Sequence, residues 1–187
     1  MFVFSQVGLA NAAAEDDLLT VVTAAKAGDR SAFAELYRRF HRAVHGMVLA
    51  RVAYGDAADL VQDVFAIALE RLSELADSSA FPGWILSIAR NRSINHAQQA
   101  RPSDELVDLP APITRRAEVA QALAALRALP DAYRETMILR FVEGLTGPEI
   151  AEQTGLSAGS VRVNLHRGMR LLRERLGMTK REKSDVG

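Results

Sequence analysis

The residues best suited to chemistry lie near the C-terminus, and their chemistry is recognition of a charged duplex rather than catalysis. Thr146-Gly147-Pro148-Glu149 has the form of a capping box, with Thr146 as N-cap and Glu149 reaching back to it. Pro148 falls in the first turn, where its missing N–H costs nothing, and Gly144 ends the preceding helix. Ile150 and Ala151 are expected to face inward, Ala151 being small enough for a second helix to cross closely. Gly155 then supplies a sharp turn, Leu156 plugs it, and Ser157 caps the next helix. On that helix Val161, Leu165, Met169, Leu172 and Leu176 predict a buried stripe. A rotation of about 100° per residue puts Gly159, Ser160, Val163, His166, Arg167 and Arg170 on the opposite side, with Arg162 at the flank. Between Ala158 and Lys183, eight basic residues stand against two acids, Glu174 and Glu182. A basic run alone usually means the solvated face of a helical hairpin. Capping box, small residue, glycine turn, cap and basic helix in this order indicate instead a helix-turn-helix whose second helix enters a major groove.

Two further stretches carry charge of opposite sign. Trp84 to Arg101 holds Arg90, Arg92 and Arg101 with no acid, among Asn91, Ser93, Asn95, His96, Gln98 and Gln99. Amides read base edges, and arginine holds phosphates or stacks on bases. Taken alone, the same stretch also fits an exposed polar helix end. Between Ala53 and Asp77 six acids, Asp56, Asp59, Asp63, Glu70, Glu74 and Asp77, oppose Arg71 alone. Such a face is not drawn to DNA. It is either a solvated surface or a dock for a basic protein surface.

The sequence argues against catalysis and resident metals. His41 and His45 are one helical turn apart, but Arg38, Arg39 and Arg42 would repel a cation, and the sequence places no acid or third histidine to complete a site. No nucleophile–base pattern or glycine-rich phosphate loop occurs, so no catalytic residue, metal or cofactor is expected. The absence of cysteine excludes disulfides and thiol chemistry and fits a reducing cytoplasm. The longest apolar stretches fall short of a membrane span. The opening MFVFSQVGLANAAA lacks a basic start, and Ser5 and Gln6 interrupt its apolar run. It reads as an N-terminal extension rather than a signal peptide.

The elements that must position these residues are helical throughout. Lys plus Arg equal Asp plus Glu at 23 each, so the distribution of charge along the chain is informative and the total is not. Strand patterns are essentially missing, and 49% apolar residues suffice for real cores. Helices are expected over 16–26, from an N-cap at Ser31, from Gly55-Asp56 with Asp56 as cap, and from about Phe81. Val61, Val64, Phe65, Ala68 and Leu72 form the buried stripe of the third. After the proline-containing RPSDELVDLPAPITRR, further helices are expected over 117–129 and 130–143. The chain thus reads as an all-α protein of two small helical domains, 15–100 and 117–178. A linker over 101–116 joins them, with an extension over 1–14 and a basic tail over 179–187.

Three strings resemble the extracytoplasmic-function class of bacterial sigma factors. They are DAADLVQDVFAIALERL (Asp56 to Leu72), FPGWILSIARNRSINH (Phe81 to His96) and LPDAYRETMILRFVEGLTGPEIAEQTGLSAGSVRVNLHRGMRLLRERL (Leu129 to Leu176). The first two resemble sigma region two and the last region four, in the same order and with a similar linker length. The resemblance implies that Asp59, Leu60, Gln62, Asp63 and Phe65 dock on the clamp helices of the RNA polymerase β′ subunit. It implies that Arg90, Asn91, Arg92 and Asn95 contact the opened minus-ten strand, holding a flipped base in a pocket. Region four would lie on the β flap and set Ser160, Arg162, Val163, His166 and Arg167 in the minus-thirty-five major groove of promoter DNA. The linker would thread toward the polymerase active-site channel, and an anti-sigma factor would hold the protein inactive. Many relatives carry Ser and Arg where this chain has Val163 and Asn164, so their promoter sequences do not transfer. The alternative from the motif alone is a conventional helix-turn-helix repressor or activator. Such proteins pair half-sites as dimers, and no coiled-coil heptad is present here.

Overall fold

The computed structural model describes residues 16–99 and 113–176, and all regular structure among them is helical. The expected extension over 1–14, the first part of the linker over 101–112 and the basic tail over 179–187 lie outside the described residues. The first half comprises α1 (16–26), α2 (Arg30–Leu49), α3 (Tyr54–Arg71) and α4 (Phe81–Gln99). The second comprises α5 (Ile113–Arg127), α6 (Asp131–Phe141), α7 (Gly147–Thr154) and α8 (Ala158–Arg175). α5 therefore begins inside the segment read from sequence as a linker.

In the first half α2 packs against both α3 and α4, and the apolar stripes converge on Leu36, Phe40, Val44, Val61, Val64, Ala68, Leu72, Phe81 and Ile85. Phe40 and Phe81 meet edge to face with centroids 5.1 Å apart, a favoured aromatic geometry. Lys26 at the end of α1 donates to the carbonyl of Leu75, tying α1 to the turn after α3. Two caps differ from expectation. Asp29, not Ser31, caps α2, because its carboxylate reaches the amides of both Ser31 and Ala32. α3 starts at Tyr54 behind Ala53 with no side-chain cap, and Asp56 sits in its first turn, where the helix dipole still favours a negative charge.

In the second half α6 and α8 form the main pair, with α7 against both. Met137, Ile138, Leu139, Leu145, Ile150 and Val161 are buried there. Of the expected α8 stripe Val161 is buried, Leu165, Met169 and Leu172 are half-buried, and Leu176, just past the end of α8 at Arg175, is exposed. Gly168 allows the close crossing. A Cβ there would lie 2.7 Å from Met137 Cγ.

The two halves share one continuous core. α2 lies on α6 at Gly46, where a Cβ would be 2.8 Å from Leu139 Cδ2 and 2.9 Å from Glu143 Cγ. Arg127 crosses from α5 to donate to the carbonyls of Leu49 (2.9 Å) and Val52 (2.6 Å), satisfying acceptors left open at the end of α2. Gly168→Val should lower stability by about 1–3 kcal/mol through overpacking against Met137, more than the gain in helix propensity returns. Urea denaturation of the purified chain measures it, and an unchanged midpoint would show that Met137 simply moves aside.

Candidate nucleic-acid interface

The helix-turn-helix is built as its sequence dictates. Thr146 accepts from the Glu149 amide, and the Glu149 carboxylate accepts from the Thr146 amide at 2.7 Å. Hydrogen bonding with Thr146, through its side chain first and its backbone amide second, holds the Glu149 carboxyl below its ordinary range. Gly155 closes α7 with φ +72, the left-handed region that favours glycine, and Ser157 caps α8 by accepting from the Ser160 amide at 3.1 Å. Leu156 does not plug the turn. Ile150 and Val161 are buried, whereas Leu156 is 39% exposed and lines the groove that residues of the first half also line.

The outward side of α8 is open. Ser160, Arg162, Val163, His166 and Arg167 are all exposed, and Arg170, Arg173 and Arg175 extend the same surface. Among the described residues Arg162, His166 and Arg167 have no ion-pair or hydrogen-bond partner, and only Arg170 has a weak one, Glu174 at 3.8 Å. Unneutralised guanidinium groups beside a helix N-terminus attract phosphates. Asn164 turns inward and donates to the Thr136 hydroxyl at 3.4 Å, off the outward side.

α4 divides its four candidates. Asn91 and Asn95, one turn apart, are exposed together. Arg90 points to the second half and grips Glu135 with two bonds of 3.0 and 2.7 Å, while Arg92 turns the other way and bonds to Asp63 on α3. His96 adds a second link to α3 through Asp56 at 3.2 Å. The minus-ten and core-docking candidates are thus joined to each other before any partner binds.

On α3 Asp59, Gln62 and Asp63 are exposed, whereas Leu60 and Phe65 are buried, Phe65 within the stripe its spacing predicted, so neither of these two side chains lies at the surface as docking on a partner would need. Phe65 packs on Tyr37 with ring centroids 4.5 Å apart, so these two shape the acidic face from beneath. Leu69, missed by sequence reasoning, is 56% exposed. The spacing 59, 62, 66, 69 is the signal that could have found it, since it puts Leu69 on the side of Asp59 and Gln62. Glu135 and Glu143 were also missed, because their partners lie in the other half.

His41 and His45 stack with centroids 6.1 Å apart, and burial followed by the neighbouring His45 charge lowers the His41 pKa. Tertiary structure does bring an acid to this pair, Glu143 at 2.7 Å from His45 Nδ1. Among the described residues, however, no group of three or more such side chains is arranged to hold a metal.

Residues 36–102 match the family described as Sigma-70 region 2, and residues 120–172 match Sigma-70, region 4. The RNA polymerase sigma factor CarQ of Myxococcus xanthus is 30% identical over 164 residues, covering 80% of this chain and 92% of that protein. This chain is an extracytoplasmic-function RNA polymerase sigma factor. The sigma-E factor of Escherichia coli K12 is also 30% identical, over 75% of this chain and 84% of its own. The solved structure of CnrH in complex with the cytosolic domain of CnrY has the same fold, with a TM-score of 0.61 at 24% identity over 87% of this chain and 98% of that one. As a sigma factor the protein is a non-catalytic subunit that binds core RNA polymerase and directs it to promoter DNA. No described helix is long and apolar enough to cross a membrane.

Without core polymerase the sigma factor should bind duplex DNA weakly, since α3 places an acidic face beside the basic elements and the whole chain has no formal net charge. The residual binding should fall steeply with salt, as phosphate contacts supply most of it. Fluorescence anisotropy of a labelled promoter duplex across a salt series measures both. Tight, promoter-specific binding by the isolated monomer at physiological salt would contradict the expectation.

Proposed function

We propose that the sigma factor divides its work among three helices, α3 for the polymerase, α4 for the opened strand and α8 for the duplex. The observation that carries this reading is the contrast in charge and partnering. Arg162 and Arg167 of α8 face solvent unpaired and Arg170 has only a weak pair, whereas the exposed acids of α3 form a face that repels phosphates. α3 would present Asp59, Gln62, Asp63 and Leu69 to the β′ clamp helices, the carboxylates meeting basic groups and Leu69 covering apolar area. The second half would rest on the β flap, where the exposed Phe141 and Val142 offer an apolar patch. All of this takes place where polymerase and DNA meet, which puts the working protein in the cytoplasm.

At the minus-thirty-five element α8 would enter the major groove, with Arg167 and Val163 toward base edges and Arg162 against a phosphate. At the minus-ten element the exposed amides of Asn91 and Asn95 would hold an extruded base, with Arg90 and Arg92 flanking them. An anti-sigma factor is the further partner. A groove of about 1310 Å³ between the halves, lined by Leu18, Leu19, Trp84, Pro148, Ala151 and Leu156, offers it an apolar seat.

Asn91→Ala and Asn95→Ala should reduce open-complex formation more than initial promoter binding. Pre-melting the minus-ten region should restore part of the loss, and permanganate footprinting on duplex and pre-melted templates separates the steps. Equal loss on both templates would point to misfolding or to lost core binding. For the duplex element, Arg167→Ala should cost about 1–3 kcal/mol and relax preference at one base pair, with Lys a poor substitute because it lacks the planar fork. Arg162→Ala should weaken all promoters similarly. Competition binding by assembled holoenzyme across single-base variants measures both. If Arg167→Ala weakens every variant by one factor, Arg167 is a phosphate clamp and not a base reader.

A further inference from the structure

Glu135 lies on the inner side of α6, and its neighbours come from the other half of the molecule. Its Oε1 accepts from Arg51 at 2.8 Å and from Arg90 Nε at 3.0 Å, and its Oε2 accepts from Arg90 at 2.7 Å. Arg51 also reaches Asp131, one turn earlier on α6, at 2.8 Å. Arg51 and Glu135 are secluded, their side chains 7% and 13% exposed, while Arg90 keeps 43% and Asp131 64% of their side chains exposed. The Arg51–Glu135 pair is sheltered enough to be screened little by salt, and losing Arg51 would leave the Glu135 carboxylate short of a partner. Two carboxylates on one half thus hold two guanidiniums on the other, over a stretch where Gly46 lets the backbones close up.

Such an arrangement has two consequences for nucleic acid. A carboxylate gripping Arg90 with two parallel bonds occupies the donors that a backbone phosphate would otherwise take. The same closure brings Ser79, Gly83 and Trp84 of the first half opposite Ser157 and Ala158, the N-terminal end of α8, across the groove between the halves. That end is the part of a recognition helix that enters the major groove. We propose that Glu135 is an intramolecular latch. It holds the free sigma factor closed by standing in for nucleic-acid phosphate at Arg90, and the latch must release before the two halves can engage separated promoter elements. The masking of Arg90 rests on the reading of α4 as the strand-contacting helix; the closure itself does not.

Two variants open the latch by independent routes. Glu135→Gln removes the charge and keeps the shape. Gly46→Leu acts sterically, since the nearest atoms its Cβ would meet belong to Leu139, Glu143 and Ile138 of the second half. The chain has no cysteine, so Glu70→Cys and Arg173→Cys, both exposed, give a unique donor–acceptor pair across the halves. In the full-length, core-free protein, energy transfer should fall in both variants. Affinity for a fluorescent single-stranded oligonucleotide of randomised sequence should rise about tenfold, as expected when a competing closed state is removed. That gain should vanish when Arg90→Ala is added to Glu135→Gln. Unchanged transfer in Glu135→Gln overturns the latch, whether or not Gly46→Leu opens the molecule. Lower transfer without an Arg90-dependent gain in binding overturns the masking. Arg90→Ala that leaves assembled holoenzyme unaffected on pre-melted templates would refute the strand-contact reading, while energy transfer still reports the latch.

Discussion

The close approach of α2 and α6 is the constraint on which the rest of this structure depends. At Gly46 there is no side chain, and Leu139 and Glu143 fill the space a Cβ would take. That approach lets Arg51 and Arg90 reach Glu135, lets His45 reach Glu143, and lets Arg127 meet the open carbonyls at the end of α2. It also merges two small cores into one. A helical domain of some 60 to 80 residues buries a modest share of its surface, so joining two of them adds apolar burial that neither has alone. Because the join includes solvent-sheltered ion pairs as well as apolar packing, it has orientation as well as strength. Guanidinium and carboxylate meet in one geometry, whereas apolar faces tolerate sliding.

Charge is segregated within that frame. α3 carries an acidic outer face and α8 a basic one, and α4 lies between them in character, with amides outward and arginines at both flanks. The flanking arginines are both engaged, Arg90 by Glu135 of the second half and Arg92 by Asp63 of α3. Asp63 is also on the face that would meet polymerase. If α3 meets polymerase and α4 the opened strand as proposed, the two partners compete for, or cooperate through, the same few ionic bonds. A protein whose formal charge sums to zero thus presents sharply different surfaces to a polymerase subunit and to DNA, which favours ordered assembly over indiscriminate nucleic-acid binding.

Much of this was legible in the sequence, because the signals are local. The capping box of Thr146 and Glu149, the left-handed Gly155 and the Ser157 cap each depend on residues within four positions of one another, and each forms as its spacing requires. The stripe from Val61 to Leu72 and the all-helical class follow from a period the backbone imposes. Errors fell where a local rule had two solutions. Asp29 and Ser31 can both cap α2, and the carboxylate wins because it reaches two amides. Leu60 stands between exposed acids on α3, yet the helix turns it into the core beside the predicted stripe.

What the sequence by itself determined is the set of helices, the helix-turn-helix and the sign of charge on each face. All of these follow from spacing along one chain segment. Only the tertiary structure decided that Glu135 faces Arg51 and Arg90, that Glu143 meets His45, that Leu156 leaves its turn for the surface, and that Gly46 and Gly168 are points of closest approach. Glu143 lies 98 residues from His45 and Glu135 lies 84 from Arg51. No periodicity spans such separations. An acid that will be solvated and an acid that will be sheltered by a distant arginine look alike until the packing of apolar faces has fixed which surfaces meet.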